Sequence, residues 1–266
     1  MAALRGKSRK PPSGASRATG SRKSPSTASR AAGEPILVDL ALQGGGAHGA
    51  FSWGVLDRLL EEPNLQFEGI SGTSAGAMNA AVMAQGLADG GHEGARAALA
   101  TFWRRVADAA QLSPMQRGPM EIMTGAWTLD YSPVFLAMEL TAQVLSPTVL
   151  NPGGRNPLSD ILAEVIDFAH LAEAPLKLFV TATNVRTGRG RIFRNAEITP
   201  NVLLASACLP TMFHSIEIDG EPYWDGGYSG NPSMYPLMSE CNASDTILVQ
   251  INPIERPGTP KTARGA

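Results

Sequence analysis

Two short apolar runs are each followed by a small-residue turn and a segment with helical spacing, and this order constrains the fold more than any other feature. The first unit is Ile36–Leu42, the turn Gln43-Gly44-Gly45-Gly46 and a helix predicted over 48–60. The second is a strand predicted over 67–70, the turn SGTS and a helix over 75–86. Strands that alternate with helices in this way form a parallel sheet covered by helices. The predicted fold class is therefore α/β.

The rest of the chain continues this pattern, apart from one irregular segment. The sequence predicts helices over 94–110, 158–168 and 199–208, strands over 176–183, 190–194 and 246–252, and a hairpin over 215–225 that turns at Asp219-Gly220. Residues 111–155 are interrupted by Pro and Gly and are rich in Met and aromatic residues. They fit either a lid or lipid-contact surface or a segment that simply packs on the core.

The charge of the chain is divided unevenly. Residues 1–33 carry eight Lys/Arg and no acidic residue, whereas the remainder carries fourteen Lys/Arg against twenty-four Asp/Glu, a net charge of −10. An acidic body makes nucleic acid an unsuitable partner. We expect a disordered basic Ser/Pro-rich tail at 1–34, which fits either an electrostatic tether to anionic lipid or a solvated segment with no role. We expect a catalytic domain at 35–253 and a C-terminal tail at 254–266.

Neither a secretory signal nor a membrane span is predicted. No apolar h-region of the kind found in a secretory signal follows the basic residues of the N-terminal segment. The longest apolar window, 132–150, is interrupted by Pro133, Glu139 and Pro147. Two cysteines, Cys208 and Cys241, are too few for a disulfide framework and are expected to be free thiols. We therefore expect a cytoplasmic protein, either free or peripheral at a membrane surface.

One serine stands among the smallest side chains of the chain, in Gly72-Thr73-Ser74-Ala75-Gly76. A GxSxG turn between a strand and a helix is a nucleophile elbow, in which the glycines avoid collisions with neighbouring backbone. The hydroxyl then stands at the carboxyl edge of the sheet, against a helix N-terminus that favours negative charge. Ser74 is the candidate nucleophile, with Gly72 and Gly76 as supporting residues.

The glycine run Gly44-Gly45-Gly46, followed by Ala47, His48 and Gly49, provides the second motif. Consecutive glycines let several backbone amides point the same way, as an oxyanion hole requires. The same letters also satisfy GxGxxG, the dinucleotide fingerprint, which expects an acidic residue at the end of the second strand. Glu68 lies inside that strand and Ile70-Ser71 ends it, so the dinucleotide interpretation leaves the serine without a role.

The proton of Ser74 needs an acceptor, and the chain offers four histidines and one suitably placed acid. Three of the histidines, His48, His92 and His170, do not lie where the histidine of a catalytic triad is expected. His214 does, but no neighbouring residue marks it as a base. Asp225 follows a predicted strand and precedes Gly226-Gly227 on a tight turn. A carboxylate with its ordinary pKa of about 3.9 is a poor base for a serine hydroxyl. It can accept the proton if it hydrogen-bonds the hydroxyl directly and if a dry site raises its basicity. Asp225 is therefore the candidate base.

The motifs GGGAHG, GTSAG and DGG, in this order, resemble the patatin-like phospholipase family of serine lipid acyl hydrolases. The resemblance spans about 36–253 and includes ASACLP at 205–210 and ILVQINP at 247–253. It implies a three-layer α/β/α sandwich with a mainly parallel central sheet. It also implies a Ser74–Asp225 dyad, oxyanion donors at Gly44, Gly45 and Gly46, no metal, no cofactor, and fatty acyl esters, commonly phospholipids, as substrates.

Two departures from the family pattern are present. His48 stands where the family usually has Arg or Lys, which puts a charge role at that position in doubt. Family members also usually continue with further helices after the last strand, so a short or a truncated form is expected. Three functions remain open: an acyl hydrolase, a non-catalytic lipid-binding protein of the same fold, and a dinucleotide-binding protein.

Overall fold

The computed structural model describes residues 35–111, 123, 153, 156–211, 213–255 and 258. The predicted tail at 1–34, most of the segment 111–155 and most of the tail at 254–266 lie outside the described residues. The proposed domain boundaries and the proposed lid therefore stay predictions.

Seven strands of the described chain form one sheet. Their bounds are β1 Ile36–Leu42, β2 Leu65–Thr73, β3 Lys177–Asn184, β4 Gly190–Arg194, β5 Ile216–Ile218, β6 Glu221–Asp225 and β7 Asp245–Val249. The helices of the described residues are α1 Gly49–Leu60, α2 Ala75–Ala110, α3 Pro157–Val165, α4 Phe168–Ala172, α5 Pro200–Ser206 and α6 Tyr235–Glu240. Most of these elements coincide with predicted ones.

The strand order is β5-β6-β3-β2-β1-β7, with β4 also paired to β3. The four strands β7, β1, β2 and β3 run parallel, whereas β4 and β6 each pair antiparallel with β3, and β5 pairs antiparallel with β6. β1 and β2, which precede the two glycine turns, are therefore neighbours at the centre of the sheet. Because the carboxyl ends of parallel strands meet at one edge, this pairing brings both turns together.

Helices cover both faces of the sheet, so the predicted α/β/α sandwich is confirmed. Leu40 and Leu42 of β1 point into the main core, where residues of α1 to α5 also pack. The intervening Ala41 points to the opposite face and packs with Phe179 of β3 and Leu237 of α6. This alternation along one strand follows from the two-residue period of side chains in a sheet.

Several predicted boundaries move, each for a local reason. The predicted helices 75–86 and 94–110 are both present, as the two helical parts of α2, and they meet at a kink where Gly90 and Gly91, the latter with a φ of 59°, leave helical geometry. The predicted helix 158–168 ends at Val165, because Asp167 accepts hydrogen bonds from the first amides of α4 and starts a new helix there. The predicted strand 246–252 ends at Val249, because the Gln43 side chain accepts the amides of residues 251 and 252.

Helix α6 was not predicted from the sequence.

No helix in the described part of the chain combines the length and the hydropathy needed to cross a bilayer. Both cysteines are free thiols, as expected.

Candidate active site

Ser74 occupies a strained turn between β2 and α2. Its φ of 54° and ψ of −125° fall in a region of backbone conformation that residues other than glycine avoid, and such strain is typical of functional turns. Its close neighbours have to be small: a Cβ added to Gly72 would lie 2.5 Å from the carbonyl oxygen of Gly76. Ser74 also begins α2, whose Ala77 amide donates to the Ser74 carbonyl at 2.9 Å. The turn has the backbone geometry expected of a nucleophile elbow.

A second serine holds the backbone of this turn. The amide of Ser74 donates to the hydroxyl of Ser206 at 2.9 Å, and that hydroxyl donates to the carbonyl of Thr181 at 2.7 Å. Ser206 ends α5 and is fully buried. The amide of the candidate nucleophile is therefore satisfied by a side chain from a distant part of the sequence.

Asp225 ends β6, opposite Ala182 of β3, and only 7% of its surface is exposed. Its Oδ1 accepts the amide of Gly227 at 2.7 Å, and the Ser74 side chain lies close enough to the carboxylate to favour its ionised form. Burial raises the pKa of Asp225 above its ordinary value, and these two interactions offset only part of that rise. The structure thus places the predicted nucleophile, Ser74, next to the predicted base, Asp225, whose carboxylate has an increased basicity.

The glycine loop lies directly beside Ser74. A Cβ added to Gly44 would lie 2.7 Å from the Cβ of Ser74, so only glycine fits at that position. The Gly44 amide donates to Asn231 Oδ1 at 2.6 Å, and Asn231 Nδ2 donates back to the Gly44 carbonyl at 3.4 Å. One of the three predicted oxyanion donors is therefore engaged with a side chain. Among the described residues, the amides of Gly45 and Gly46 have no hydrogen-bond acceptor.

The remaining motif glycines permit close contacts between elements. A Cβ on Gly49 would lie 2.6 Å from the Cβ of Ala75, so glycine lets α1 approach the start of α2. Gly226 packs directly against the carbonyl of Thr181, and a Cβ on Gly227 would lie 3.0 Å from Asp225 Oδ1. Each of these glycines therefore keeps a neighbour of Ser74 or Asp225 in place.

A buried polar contact joins the glycine loop to the cavity wall. Asn79 Nδ2 donates to the Gly49 carbonyl at 3.0 Å, and Trp103 Nε1 donates to Asn79 Oδ1 at 2.8 Å. Asn79 is fully buried, so both hydrogen bonds satisfy polar groups that water does not reach. These hydrogen bonds consequently hold three parts together: the start of α1, the first part of α2 and the Trp103 ring in the second part of α2.

A cavity of about 710 Å³ opens beside Ser74 and Asp225. Its apolar wall includes Met78, Phe102, Trp103 and Val106 of α2, Leu158 of α3, and Leu209. Its polar end is formed by Ser74, Asp225, Asn231 and the glycine loop. Such a space, apolar except for a few convergent polar groups, has the size and chemistry of a ligand pocket.

None of the four histidines hydrogen-bonds to Ser74 or Asp225; all four are described. His48 Nδ1 lies 3.2 Å from the carbonyl of Gly45, and His92 Nδ1 lies 3.0 Å from the carbonyl of Leu60. His170 pairs with Asp89 at 3.2 Å. The carbonyl of His214 accepts from Cys208 Sγ, and its Nε2 is buried without a partner among the described residues. The geometry offers Asp225 as the immediate partner of Ser74.

Glu68 is the acidic residue nearest to the end of the second strand, where a dinucleotide-binding protein has its ribose-binding acid, but its carboxylate binds other groups. Glu68 accepts from Lys177 Nζ at 2.8 Å and from the amides of Asn242 and Ala243. The hydrogen bond from Lys177 is the main cause of lowering the pKa of Glu68 to about 2. This carboxylate fixes the loop before β7 and does not face the glycine loop as a ribose-binding residue would.

Three residues of the site were missed by the sequence analysis: Ser206, Asn231 and Asn79. Ser206 and Asn231 do lie close to recognised motifs, in ASACLP and after the Asp-Gly-Gly turn. That proximity was the only signal available, because nothing local to either residue indicates its partner.

Comparison with known proteins adds a family assignment. The family model described as Patatin-like phospholipase matches residues 40–238. Among solved structures, the chain is similar to VipD from Legionella pneumophila, with 18% identity, a TM-score of 0.40, and coverage of 73% of this chain and 46% of VipD. It is also similar to a chain of the ExoU–SpcU complex from the type III secretion system of Pseudomonas aeruginosa. There the identity is 23%, the TM-score is 0.31, and 65% of this chain and 36% of the other are covered.

The chain thus spans less than half the length of either of these structures. No curated protein matches it.

Proposed function

The chain belongs to the patatin-like phospholipase family, and from this premise we propose that it is a lipid acyl hydrolase that cleaves fatty acyl esters through Ser74 and Asp225. One observation carries the proposal. The Ser74 side chain lies beside a buried carboxylate whose pKa is raised by burial, at the polar end of an apolar cavity. A nucleophile in contact with a base, beside unengaged backbone amides, is the arrangement that acyl transfer needs.

The proposed reaction begins when Ser74 Oγ attacks the ester carbonyl carbon and its proton passes to the Asp225 carboxylate. The carbonyl π electrons move onto oxygen, and the Gly45 and Gly46 amides donate to this oxyanion. Collapse of the tetrahedral intermediate breaks the ester C–O bond, and Asp225 returns the proton to the leaving alcohol. The products of this half-reaction are the alcohol and an acyl-serine.

In the second half-reaction, water attacks the acyl-serine while Asp225 accepts one of its protons. The second tetrahedral intermediate is stabilised by the same amides, and its collapse releases the fatty acid and restores the Ser74 hydroxyl. Asp225 therefore acts as base and acid in turn, which suits a carboxyl group whose pKa lies above the ordinary value.

The lining of the cavity supports a substrate with an acyl chain. An acyl chain placed along Met78, Phe102 and Val106 would exchange water for apolar contacts, which favours binding by about 0.8 kcal/mol for each buried CH₂ group. A lipid surface is the proposed partner, since Leu209 and Tyr228 line the cavity and are 42% and 62% exposed. Phospholipids are the proposed lipid class, on the basis of the family.

A fluorophosphonate probe with peptide mapping tests the proposal. We expect labelling at Ser74 in the wild type and none in Ser74→Ala, with loss of ester hydrolysis in the same variant. Asp225→Asn should lower the labelling rate and kcat by about 10²–10⁴-fold, as for loss of a general base. Labelling that persists in Ser74→Ala would contradict the proposed nucleophile.

The two alternative functions predict other outcomes. A non-catalytic lipid-binding protein would bind vesicles but hydrolyse no short or long acyl ester and leave the probe unreacted. A dinucleotide-binding protein would gain thermal stability from NAD or NADP and would be indifferent to Ser74→Ala. The engagement of Glu68 with Lys177 speaks against the second of these.

A further inference from the structure

Ser206 stands in the gap between two strands at the edge where the site is built. The last residues paired between β2 and β3 are Thr73 and Thr181. The next amide along β2 is that of Ser74, and it reaches β3 only through the Ser206 hydroxyl, which bonds Ser74 N at 2.9 Å and Thr181 O at 2.7 Å. One hydroxyl thus replaces a direct bond between strands.

The inserted hydroxyl suits the unusual backbone of the nucleophile. Ser74 leaves the strand with a φ of 54°, and its amide finds its acceptor off the regular ladder, in a side chain. The Ser206 side chain is fully buried, so this hydrogen bond lies out of reach of solvent. Without this acceptor, the strained turn would also contain an unsatisfied amide, which destabilises the turn.

The other end of the same bridge reaches the carboxylate turn. Thr181 adjoins Ala182, which pairs with Asp225, and the Thr181 carbonyl also packs against Gly226. Ser206 therefore contacts the backbone of the nucleophile and the strand segment that carries the base. A shift of this hydroxyl would change the position of the Ser74 hydroxyl relative to Asp225.

We propose that Ser206 is a positioning residue that holds the Ser74 backbone against β3 and so aligns the Ser74 hydroxyl with Asp225. This inference rests on the proposed hydrolase function. Ser206 itself touches no substrate, so its loss should affect the chemical step and leave substrate binding nearly unchanged. A positioning role thus predicts a fall in kcat with little change in KM.

The test compares Ser206→Ala with Ser71→Ala. Ser71 is a matched control: it is also fully buried, it lies on β2, the strand that leads into the nucleophile, and its hydroxyl donates one hydrogen bond, to the Ser233 carbonyl at 2.6 Å. We expect Ser206→Ala to lower kcat on a soluble short-chain ester, and the fluorophosphonate labelling rate, by about tenfold or more, with KM within about twofold. Ser71→Ala should lower Tm but keep kcat within about twofold of the wild type.

Ser206→Cys provides the conservative variant. Its thiol is close in size to the hydroxyl and is a weaker donor and acceptor, so we expect a kcat between those of Ser206→Ala and the wild type. This variant also carries the test if Ser206→Ala fails to fold.

Two results would overturn the inference: a kcat for Ser206→Ala, or for Ser206→Cys if Ser206→Ala does not fold, within twofold of the wild type, or an equal loss of kcat in Ser71→Ala. A wild type that neither hydrolyses esters nor reacts with the probe would instead refute the proposed function, and the inference with it.

Discussion

At the scale of single residues, the site combines a strained serine with a carboxylate kept largely from water. Burial favours the neutral form of Asp225, whereas the proposed chemistry needs the ionised form as a base. Stability and function therefore make opposite demands on this residue. Such a conflict is common at active sites and predicts that a neutral replacement stabilises the fold while it removes activity.

Asp225→Asn should show this conflict in its melting temperature. The folded-state pKa of Asp225 is raised, so the folded protein holds its proton more tightly than the unfolded chain, and stability falls as pH rises through that folded-state pKa. At pH 7 the variant should therefore melt at a higher temperature than the wild type. The difference should shrink as the pH approaches the ordinary Asp value, as measured by calorimetry across pH. A lower Tm for the variant at pH 7 would contradict the expectation.

The pH dependence of the reaction offers a second check at this scale. If Asp225 is the base, kcat/KM should fall as the pH drops through its raised pKa, so the acid limb should have its midpoint above the ordinary pKa of Asp. His214→Ala should leave the limb in place. A limb that disappears in His214→Ala would identify a histidine relay in place of the direct Ser–Asp contact.

At the scale of elements, α2 has two functions. Its first residue follows the nucleophile, and its distal half forms the apolar wall of the cavity with Phe102, Trp103 and Val106. The break at Gly90 and Gly91 lies between these two parts, so the chain can redirect the helix toward the cavity. The hydrogen bonds of Asn79 then fix the Trp103 ring against the start of α1.

Val106→Phe should make the enzyme selective for shorter acyl chains. The larger side chain occupies cavity space, so kcat/KM for a long-chain ester should fall by about tenfold relative to a short-chain ester. Leu87→Phe is the matched control, because Leu87 is half-buried on the same helix but does not line the cavity. Equal effects of Val106→Phe on all chain lengths would place the acyl chain elsewhere.

The sequence predicted these elements and motifs to different extents. Ser74, its flanking glycines and Asp225 were predictable because the steric requirements of tight turns are met by neighbouring residues. Ser206 and Asn231 were not, because their partners Ser74 and Gly44 lie 132 and 187 positions away. A single sequence carries no mark of such pairing, and only the assembled sheet brings these residues together.

At the scale of the whole molecule, the parallel strands collect the glycine loop, the elbow and the cavity mouth at one edge. Large apolar side chains are exposed near this edge, among them Phe51 in the first turn of α1, which is 60% exposed. The opposite face of the sheet has an exposed apolar residue of its own, Met238 of α6, at 71%. If lipid approaches the cavity mouth, these two residues should differ in their effects.

Phe51→Ser should weaken binding to phospholipid vesicles by about tenfold, as expected for an aromatic side chain that leaves water on binding. Met238→Ser, the control, should leave vesicle binding nearly unchanged. Sedimentation of the protein with vesicles measures both. Similar losses in both variants would indicate non-specific adsorption.

The two catalytic candidates differ in how firmly their strands are held. Ser74 follows β2, which has neighbours on both sides, whereas Asp225 ends β6, whose outer neighbour β5 is the three-residue strand Ile216–Ile218 at the margin of the sheet. Margins of a sheet open at a smaller free-energy cost than its centre. On warming, the β5–β6 hairpin should therefore unfold before the rest of the sheet. Activity should be lost at a lower temperature than the far-UV circular dichroism signal, and it should return when the protein is cooled from a temperature between the two transitions.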